Sequence, residues 1–323
     1  MNTTVIISTY NGERFIYEQL KSIAEQSLKV DNVFIIDDAS TDGTVEIVRN
    51  FIKKEQLLGW HLEINKNNIG WKKNFYILLS KIRTDLVFYC DQDDIWDRER
   101  VKITVGVFEK NKDIKCLSCD YASIDSTGEE IIGDSKLTYI QDGSVSEIDY
   151  KDDRFHIRGL GCLLVCTNEI VTLIEQGFSK DELFRIPPDF MISRVSMMLK
   201  GFYTIDLKLV RHRFHDDNAS NSSEIVNRLQ GSNTLMNRME MLDNELLITK
   251  VMLKKTEMRN IKEYFNYLKY RRDFLCKGDF LSLVKALWIE RHKYAMILIL
   301  ADIAYYYNVQ GIAGFVYRKI FIK

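Results

Sequence analysis

The stretch "VFYCDQDDIW", residues 87–96, passes from an apolar run into three carboxylates within four positions, then returns at once to Ile95 and Trp96. An unbroken apolar run such as Leu86–Tyr89 is the mark of a strand covered on both faces. Asp91, Asp93 and Asp94 stand at its C-terminal end. Carboxylates this close repel one another and lose hydration when enclosed, so the cluster needs a compensating cation or open water.

Working outward, the upstream chain alternates strand-like and helical patterns. "TVIIS" (4–8), "NVFIID" (32–37), "HLEIN" (61–65) and "DLVFYC" (85–90) read as strands. Residues 13–26 carry Phe15, Ile16, Leu20 and Ile23 on one helical stripe. A second helix follows a cap at Ser40 or Thr41, with Val45, Val48 and Ile52 inward, and 71–82 forms a third. This alternation predicts an α/β fold with a doubly wound, mostly parallel sheet, which binds ligands beyond the C-terminal ends of its strands. Three strand ends then converge: Thr9 to Gly12, Asp37 to Ser40, and the acidic cluster. No G-x-G-x-x-G or G-x-x-x-x-G-K-[ST] opens a helix, so glycine-cradled dinucleotide or P-loop binding is not signalled. A lone aspartate would read as a cap, as Asp97 does for the helix near Arg98. Three together point to a metal, and hard oxygen ligands favour Mg2+ or Mn2+ bridging carboxylates to the phosphates of a nucleotide-linked substrate.

The chain of 323 residues is 46% hydrophobic, enough for one large domain with an appendage or for two domains. Its 45 basic and 46 acidic residues conceal an asymmetry, because residues 250–323 hold about 15 Lys/Arg against about 6 Asp/Glu. A basic tail of that kind suits an anionic partner, nucleic acid or membrane lipid. It lacks a recognisable nucleic-acid module, which argues for lipid. The start "MNTTVIIS" has no secretory pattern, so the expected location is cytoplasmic, peripheral on the cytoplasmic membrane face. Cys116 and Cys119 point to opposite faces of a strand, and Cys162 and Cys166 lie about 13 Å apart if extended, so buried free thiols are expected.

Residues 113–215 mix strand-like runs with a polar stretch, 138–153, and the only prolines, Pro187 and Pro188, directly precede Asp189. From Ser222 the pattern is helical. Residues 294–317 approach the composition of a membrane span, but Asp302, Asn308 and Gln310 favour an interfacial attachment, the alternative being a helical packing arm or oligomer contact.

Four motifs in order, "ISTYNGERFIYEQLKSIAEQS", "IDDASTDGT", "NIGWKKNF" and "CDQDDIW", resemble those of the inverting family 2 glycosyltransferases of GT-A fold, and "DQDDIW" is similar to bacterial rhamnosyltransferase-like enzymes of surface-polysaccharide assembly. The resemblance covers residues 3–218. It implies a GT-A domain over 1–220, with a Rossmann-like nucleotide half (1–112) and a mixed acceptor half (113–220), followed by a helical, basic extension (221–323).

Carried onto this sequence, the resemblance implies that Thr9, Tyr10 and Asp38 hold the base and ribose of a nucleotide diphosphate sugar, Tyr10 by stacking and Asp38 by accepting a ring N–H or ribose hydroxyl. Asp37 supports the strand end. Asn68 and Gly70 fall on a nucleotide-side loop, and Lys72 or Lys73 neutralises part of the diphosphate. Asp91 and Asp93 form the Asp-x-Asp pair, with Asp93 a direct metal ligand and Asp91 reaching ribose or metal through water; Asp94 is the weakest of the three. "RGLGCLLVC" places Gly159, Gly161 and Cys162 at the sugar pocket. In "PPDFMIS", Asp189 is the implied general base, although Pro188 replaces the usual acidic or imidazole neighbour. In "HRFHDDN", His215 is the implied third metal ligand and Arg213 a phosphate contact, with Asp216 and Asp217 departing from the usual small or amide residues. The implied activity is metal-dependent transfer of dTDP-rhamnose or a UDP-sugar to a glycan or lipid-linked acceptor. The competing expectation is a catalytically silent nucleotide-sugar-binding or scaffolding subunit of a glycan-assembly complex.

Overall fold

The computed structural model describes residues 1–131, 141–148, 160–215, 235–255, 259–289 and 293–307. The chain divides into two compact units, Met1–Asp149 with Arg154–His215, and Tyr150–Asp153 with Asp216–Lys323.

The first unit alternates as its hydrophobic pattern requires: β1 (Thr3–Thr9), α1 (Ile16–Ala24), β2 (Asn32–Asp37), α2 (Thr44–Lys54), β3 (Trp60–Ile64), α3 (Trp71–Leu79) and β4 (Leu86–Cys90). A two-residue β5 (Ile95–Trp96) and α4 (Arg100–Lys110) follow. Beyond them lie β6 (Cys116–Ile124), β7 (Val145–Glu147), a short 3-10 turn (Gly161–Leu163) and β8 (Leu164–Thr167). The unit closes with α5 (Asn168–Gly177), α6 (Lys180–Arg185), α7 (Pro188–Met198) and β9 (Phe202–Arg213).

Among the described residues the strands form one sheet in the order β3-β2-β1-β4-β8-β6-β9-β5, with β7 also on β9. β3, β2, β1 and β4 are mutually parallel, whereas β8 runs antiparallel between β4 and β6. The order reverses at β1, with β2 on one side and β4 on the other, which makes the β1/β4 edge a topological switch point. Register aligns the ends there, since Thr9 pairs with Asp37 and Ile7 with Cys90. Val5, Ile7, Phe88, Val101, Phe108, Leu117 and Val165 are buried in the core beneath this edge, each contributing roughly 1.5–3 kcal/mol by leaving water.

Two local expectations are corrected. Neither Ser40 nor Thr41 caps α2; Gly43 takes that position, and the Thr44 amide donates to Asp42 Oδ1 at 3.0 Å. Ser40 is drawn away because its amide and hydroxyl both donate to the Asp37 carboxylate, at 2.8 and 2.6 Å. The deep anchors of α2 are Val48 and Phe51, with Val45 and Ile52 half-buried. Likewise the segment around Cys162 is a 3-10 turn rather than extended strand, although Cys90, Cys116, Cys119, Cys162 and Cys166 are all buried free thiols.

The second unit is helical: α8 (Leu235–Lys255), α9 (Arg259–Lys277), α10 (Phe280–Ile289) and α11 (Lys293–Tyr306). The aspartate that interrupts the apolar run of α11 is explained by packing. Asp302 is fully buried and accepts from Arg238 Nε at 2.8 Å and from Arg271 Nε and Nη2 at 2.6 and 3.0 Å. Burial alone would pull the Arg271 guanidinium down, and the Asp302 carboxylate more than reverses that. No described helix is long and apolar enough to cross a membrane; residues 308–317 lie outside the described residues.

Candidate active site

The switch point is built by carboxylates with contrasting duties. Asp37 is enclosed and holds the strand ends: its Oδ2 accepts from Thr9 Oγ1 at 2.8 Å. Asp38 holds the loop that leads into α3, accepting from Asn65 Nδ2 and the Ile69 amide on Oδ1 (both 2.9 Å) and from the Gly70 amide on Oδ2 (2.8 Å). Those three bonds use three of about four acceptor sites on a carboxylate, leaving one on Oδ2. Gly70 has φ +88, a conformation that suits glycine, and so turns both amides toward Asp38.

Tyr10 presents an exposed ring at the end of β1. Its backbone is clamped by a residue the sequence did not single out: the Tyr10 amide donates to Gln92 Oε1 at 2.9 Å, and Gln92 Nε2 donates back to the Tyr10 carbonyl at 3.1 Å. A Cβ at Gly12 would overlap that Gln92 side chain, so the glycine makes room for the clamp. The acidic loop and the β1 end are thereby one structure.

Within the loop, the three aspartates differ. Asp94 is fully buried; its Oδ1 accepts from His212 Nδ1 at 2.8 Å and from the Arg213 amide at 3.1 Å. Burial would raise the Asp94 carboxyl, but the His212 charge and hydrogen bond bring it below the usual range. Burial would lower His212, yet Asp94 raises it to about 9. Asp93 Oδ2 lies 2.8 Å from His215 Nε2, whose ring packs on Phe15 at 4.6 Å. No described residue donates a hydrogen bond to the Asp91 carboxylate, and burial, helped by Asp94 and Asp93, pushes it up to about 8. Asp94, Cys162 and His212 also bring three ligand-type atoms within 4.8 Å. The first and last of these bond each other through Asp94 Oδ1, Asp94 Oδ2 is buried without a described donor, and burial holds the Cys162 thiol protonated, so the trio reads as an ion pair beside a neutral thiol.

Asp93 Oδ2 and His215 Nε2 are spaced as two ligands of one divalent ion, whereas Asp91 does not join them in a three-ligand cluster among the described residues, which corrects the expectation of Asp91 in the metal set. Adjacent ligands on an octahedron with bonds of about 2.1 Å stand about 3 Å apart, close to the 2.8 Å between Asp93 Oδ2 and His215 Nε2. The Asp93 carboxylate suits Mg2+ or Mn2+, and the His215 imidazole adds the softer member of the pair.

Asp189 lies in the first turn of α7 behind Pro188, which fits the first helical position because it lacks an N–H to satisfy. Its Oδ1 is buried and accepts from no described donor. Burial raises its carboxyl, while the Phe190 amide, Lys72 and Arg194 pull it back. Asp189 is near enough to Asp91 to raise that group in turn. A Cβ at Gly161 would sit 3.5 Å from Asp189 Cβ, so glycine there keeps one side of the carboxyl uncovered.

Several expected residues fall elsewhere. Arg213 does not face an open crevice: it is buried, with Nε on the Asp93 carbonyl (2.8 Å), Nη2 on Glu18 (2.5 Å) and the guanidinium over Phe15 (4.7 Å). Its work is to tie β9 to the loop and to α1. The Thr9 hydroxyl is spent on Asp37, so only its carbonyl, bonded to the Asp38 amide at 2.8 Å, bears on the ligand side. Asn68 is exposed on the loop before α3, and Lys72 is half-buried. Cys162 is buried, with its carbonyl accepting from Arg100 Nη2 at 2.7 Å rather than facing a pocket. Gly159, Asp216 and Asp217 lie outside the described residues. The sequence reasoning passed over Gln92 and His212. Only the pairing of two adjacent aspartates with two histidines three positions apart hinted at the second.

The fold is of the GT-A type, as its likeness to solved structures shows. The Staphylococcus aureus TarS 1-349 structure in complex with UDP-GlcNAc superposes with a TM-score of 0.67 at 16% identity, covering 99% of this chain and 92% of that one. The mannosyltransferase PcManGT from Pyrobaculum calidifontis, in complex with GDP-Man and Mn2+, gives 0.51 at 18% identity, covering 99% and 87%. Residues 4–158 match the model of Glycosyl transferase family 2. The dTDP-rhamnosyl transferase RfbG of Shigella flexneri is 34% identical over 173 residues, 52% of this chain and 55% of that protein. The chain thus spans little more than half the length of that relative.

Proposed function

We propose that the chain is a divalent-metal-dependent, inverting glycosyltransferase. It moves a sugar from a nucleotide diphosphate donor, dTDP-rhamnose or a UDP-sugar, to a glycan or lipid-linked acceptor in surface-polysaccharide assembly. The carrying observation is that Asp91 lies within electrostatic reach of both Asp93, which pairs with His215, and Asp189, whose buried Oδ1 has no described donor. The relatives lend support through their names, a dTDP-rhamnosyl transferase and structures holding UDP-GlcNAc or GDP-Man with Mn2+.

Tyr10 stacks on the base, and the remaining acceptor site of Asp38 takes a base N–H or ribose hydroxyl. Asp93 and His215 would hold Mg2+ or Mn2+, with Asp91 reaching ribose or metal through water, and the ion would supply positive charge against the departing diphosphate. Asp189 Oδ1 takes the proton of the acceptor hydroxyl as that oxygen bonds the anomeric carbon and the bond to the diphosphate breaks. Attack from the face opposite the diphosphate inverts the carbon. Burial raises the Asp189 carboxyl above the ordinary range, which strengthens it as a base, and the Phe190 amide and Lys72 charge work against that rise. We assign donor binding to 1–112, acceptor binding to 113–220, and attachment to the anionic cytoplasmic face of the membrane to 221–323.

Steady-state transfer, or donor hydrolysis, tests the assignment. Asp189→Asn lowers kcat by about 10²- to 10⁴-fold with donor KM little changed, and Asp93→Ala abolishes metal-stimulated turnover. Wild-type rates in both variants would sink it. Donor binding by the wild-type chain without transfer to any acceptor marks the silent-subunit alternative.

A further inference from the structure

The helix α10 is inverted. Its buried residues include Ser282 with Leu283 and Ala286, while Leu281 (60% exposed), Val284 (58%) and Trp288 (74%) face outward. Phe280 and Leu287 are exposed as well. At about 100° per residue these five side chains fill one continuous arc of about 120°. Soluble helices put that arc inward, so its outward placement marks an interaction surface.

The arc continues onto α11. Phe280 stacks on Tyr307 with centroids 6.5 Å apart, and Met296 and Leu300, one turn apart, are exposed on that helix. Charge decides what covers it. Lys285 projects from the edge of the arc, near Tyr270 at 5.5 Å, and Lys277 stands exposed at the end of α9 just before it, with the exposed Asp279, within electrostatic reach of Lys285, offsetting part of that charge. Two copies meeting across a two-fold axis would set this patch and its lysines against themselves. An anionic surface instead neutralises them, and an exposed tryptophan beside aliphatic side chains suits the headgroup boundary.

We infer that the outward arc of α10, edged by Lys277 and Lys285, is a docking face for an anionic lipid bilayer. The helix lies in the interface without crossing it. This deepens the membrane attachment proposed above and names the face, but it does not depend on the catalytic assignment.

Co-sedimentation of the full chain with vesicles tests it, using phosphatidylcholine alone and phosphatidylcholine mixed with phosphatidylglycerol. The chain binds the mixed vesicles, and added salt weakens the binding. Lys277→Gln and Lys285→Gln each lower partitioning by about fivefold. Leu281→Glu with Val284→Glu reduces it to background; because both residues are exposed, circular dichroism of that variant stays at the wild-type value. Val284→Ser is the milder control and gives an intermediate loss. Asp93→Ala binds vesicles like the wild type, and the docking variants still turn over a soluble acceptor, so either reading can fail alone. Equal binding to neutral and mixed vesicles overturns the inference, as does full binding by the double glutamate variant. Sedimentation equilibrium showing a dimer that this variant dissolves, without vesicle binding by the wild type, assigns the face to a second copy.

Discussion

Both units enclose carboxylate, and they treat it in opposite ways. In the helical unit Asp302 is closed off by two arginines that meet both of its oxygens. In the sheet unit the three loop carboxylates differ: Asp94 is balanced by His212 through Oδ1 while its buried Oδ2 meets no described donor, Asp93 pairs with His215, and Asp91 receives no described donor. A buried carboxylate that the protein neutralises itself is structural. One left to be neutralised from outside is a binding site.

The comparison can be broken at its closed end first. Asp302→Ala leaves two guanidiniums without their shared carboxylate and is expected to cost about 3–5 kcal/mol, read by denaturant unfolding followed through the far-UV signal. A loss below about 1 kcal/mol would mean the arginines reach other acceptors, at the level of an exposed pair. Asp94→Asn is a subtler cut. It removes the charge that balances His212 without touching Asp93 or His215, and Mn2+ affinity falls about 10- to 100-fold, as when the support of a metal ligand is removed. Turnover then recovers at saturating Mn2+, which a merely misfolded loop would not allow.

The smallest expected effect is a pH dependence. Folding raises His212 from 6.5 to about 9 and Asp91 from 3.8 to about 8. The folded state therefore holds more protons than the unfolded chain between those values, and stability falls as pH rises through them. The His212 contribution is fully present below 6.5 and gone above about 9. Asp94, held below the usual range, acts the other way and loses its contribution on acidification. Thermal melts of metal-free protein should decline from about pH 6 to about pH 9, and Mn2+ should lessen the decline by taking the place of the Asp91 proton. A melt that rises over this range contradicts the assignment.

Much of the strand-end edge was legible from residue order alone. Unbroken apolar strands and helical stripes fix the β/α alternation, and the switch-point rule then places Thr9, Asp38 and Asp91 along one edge. What stayed hidden depends on contacts distant in sequence. The Asp94–His212 and Asp93–His215 pairs span more than a hundred residues and are set by the antiparallel register of β5 on β9, Ile95 with Arg211 and Trp96 with Val210. No periodicity announces a two-residue strand. Arg213 was misplaced for the same cause: that register aims its guanidinium inward at Phe15 and Glu18. Asp302 shows the reverse case, since a charge in an apolar helix signals a buried partner, but the partners Arg238 and Arg271 come from two other helices.

The open half of the comparison is tested most directly by electron paramagnetic resonance of Mn2+, whose free-ion signal disappears on binding. In the presence of a nucleoside diphosphate, the wild-type chain is predicted to bind one Mn2+, Asp302→Asn to bind it equally, and Asp93→Ala to leave the ion free. Undiminished binding by Asp93→Ala, or none by the wild type, would contradict the account.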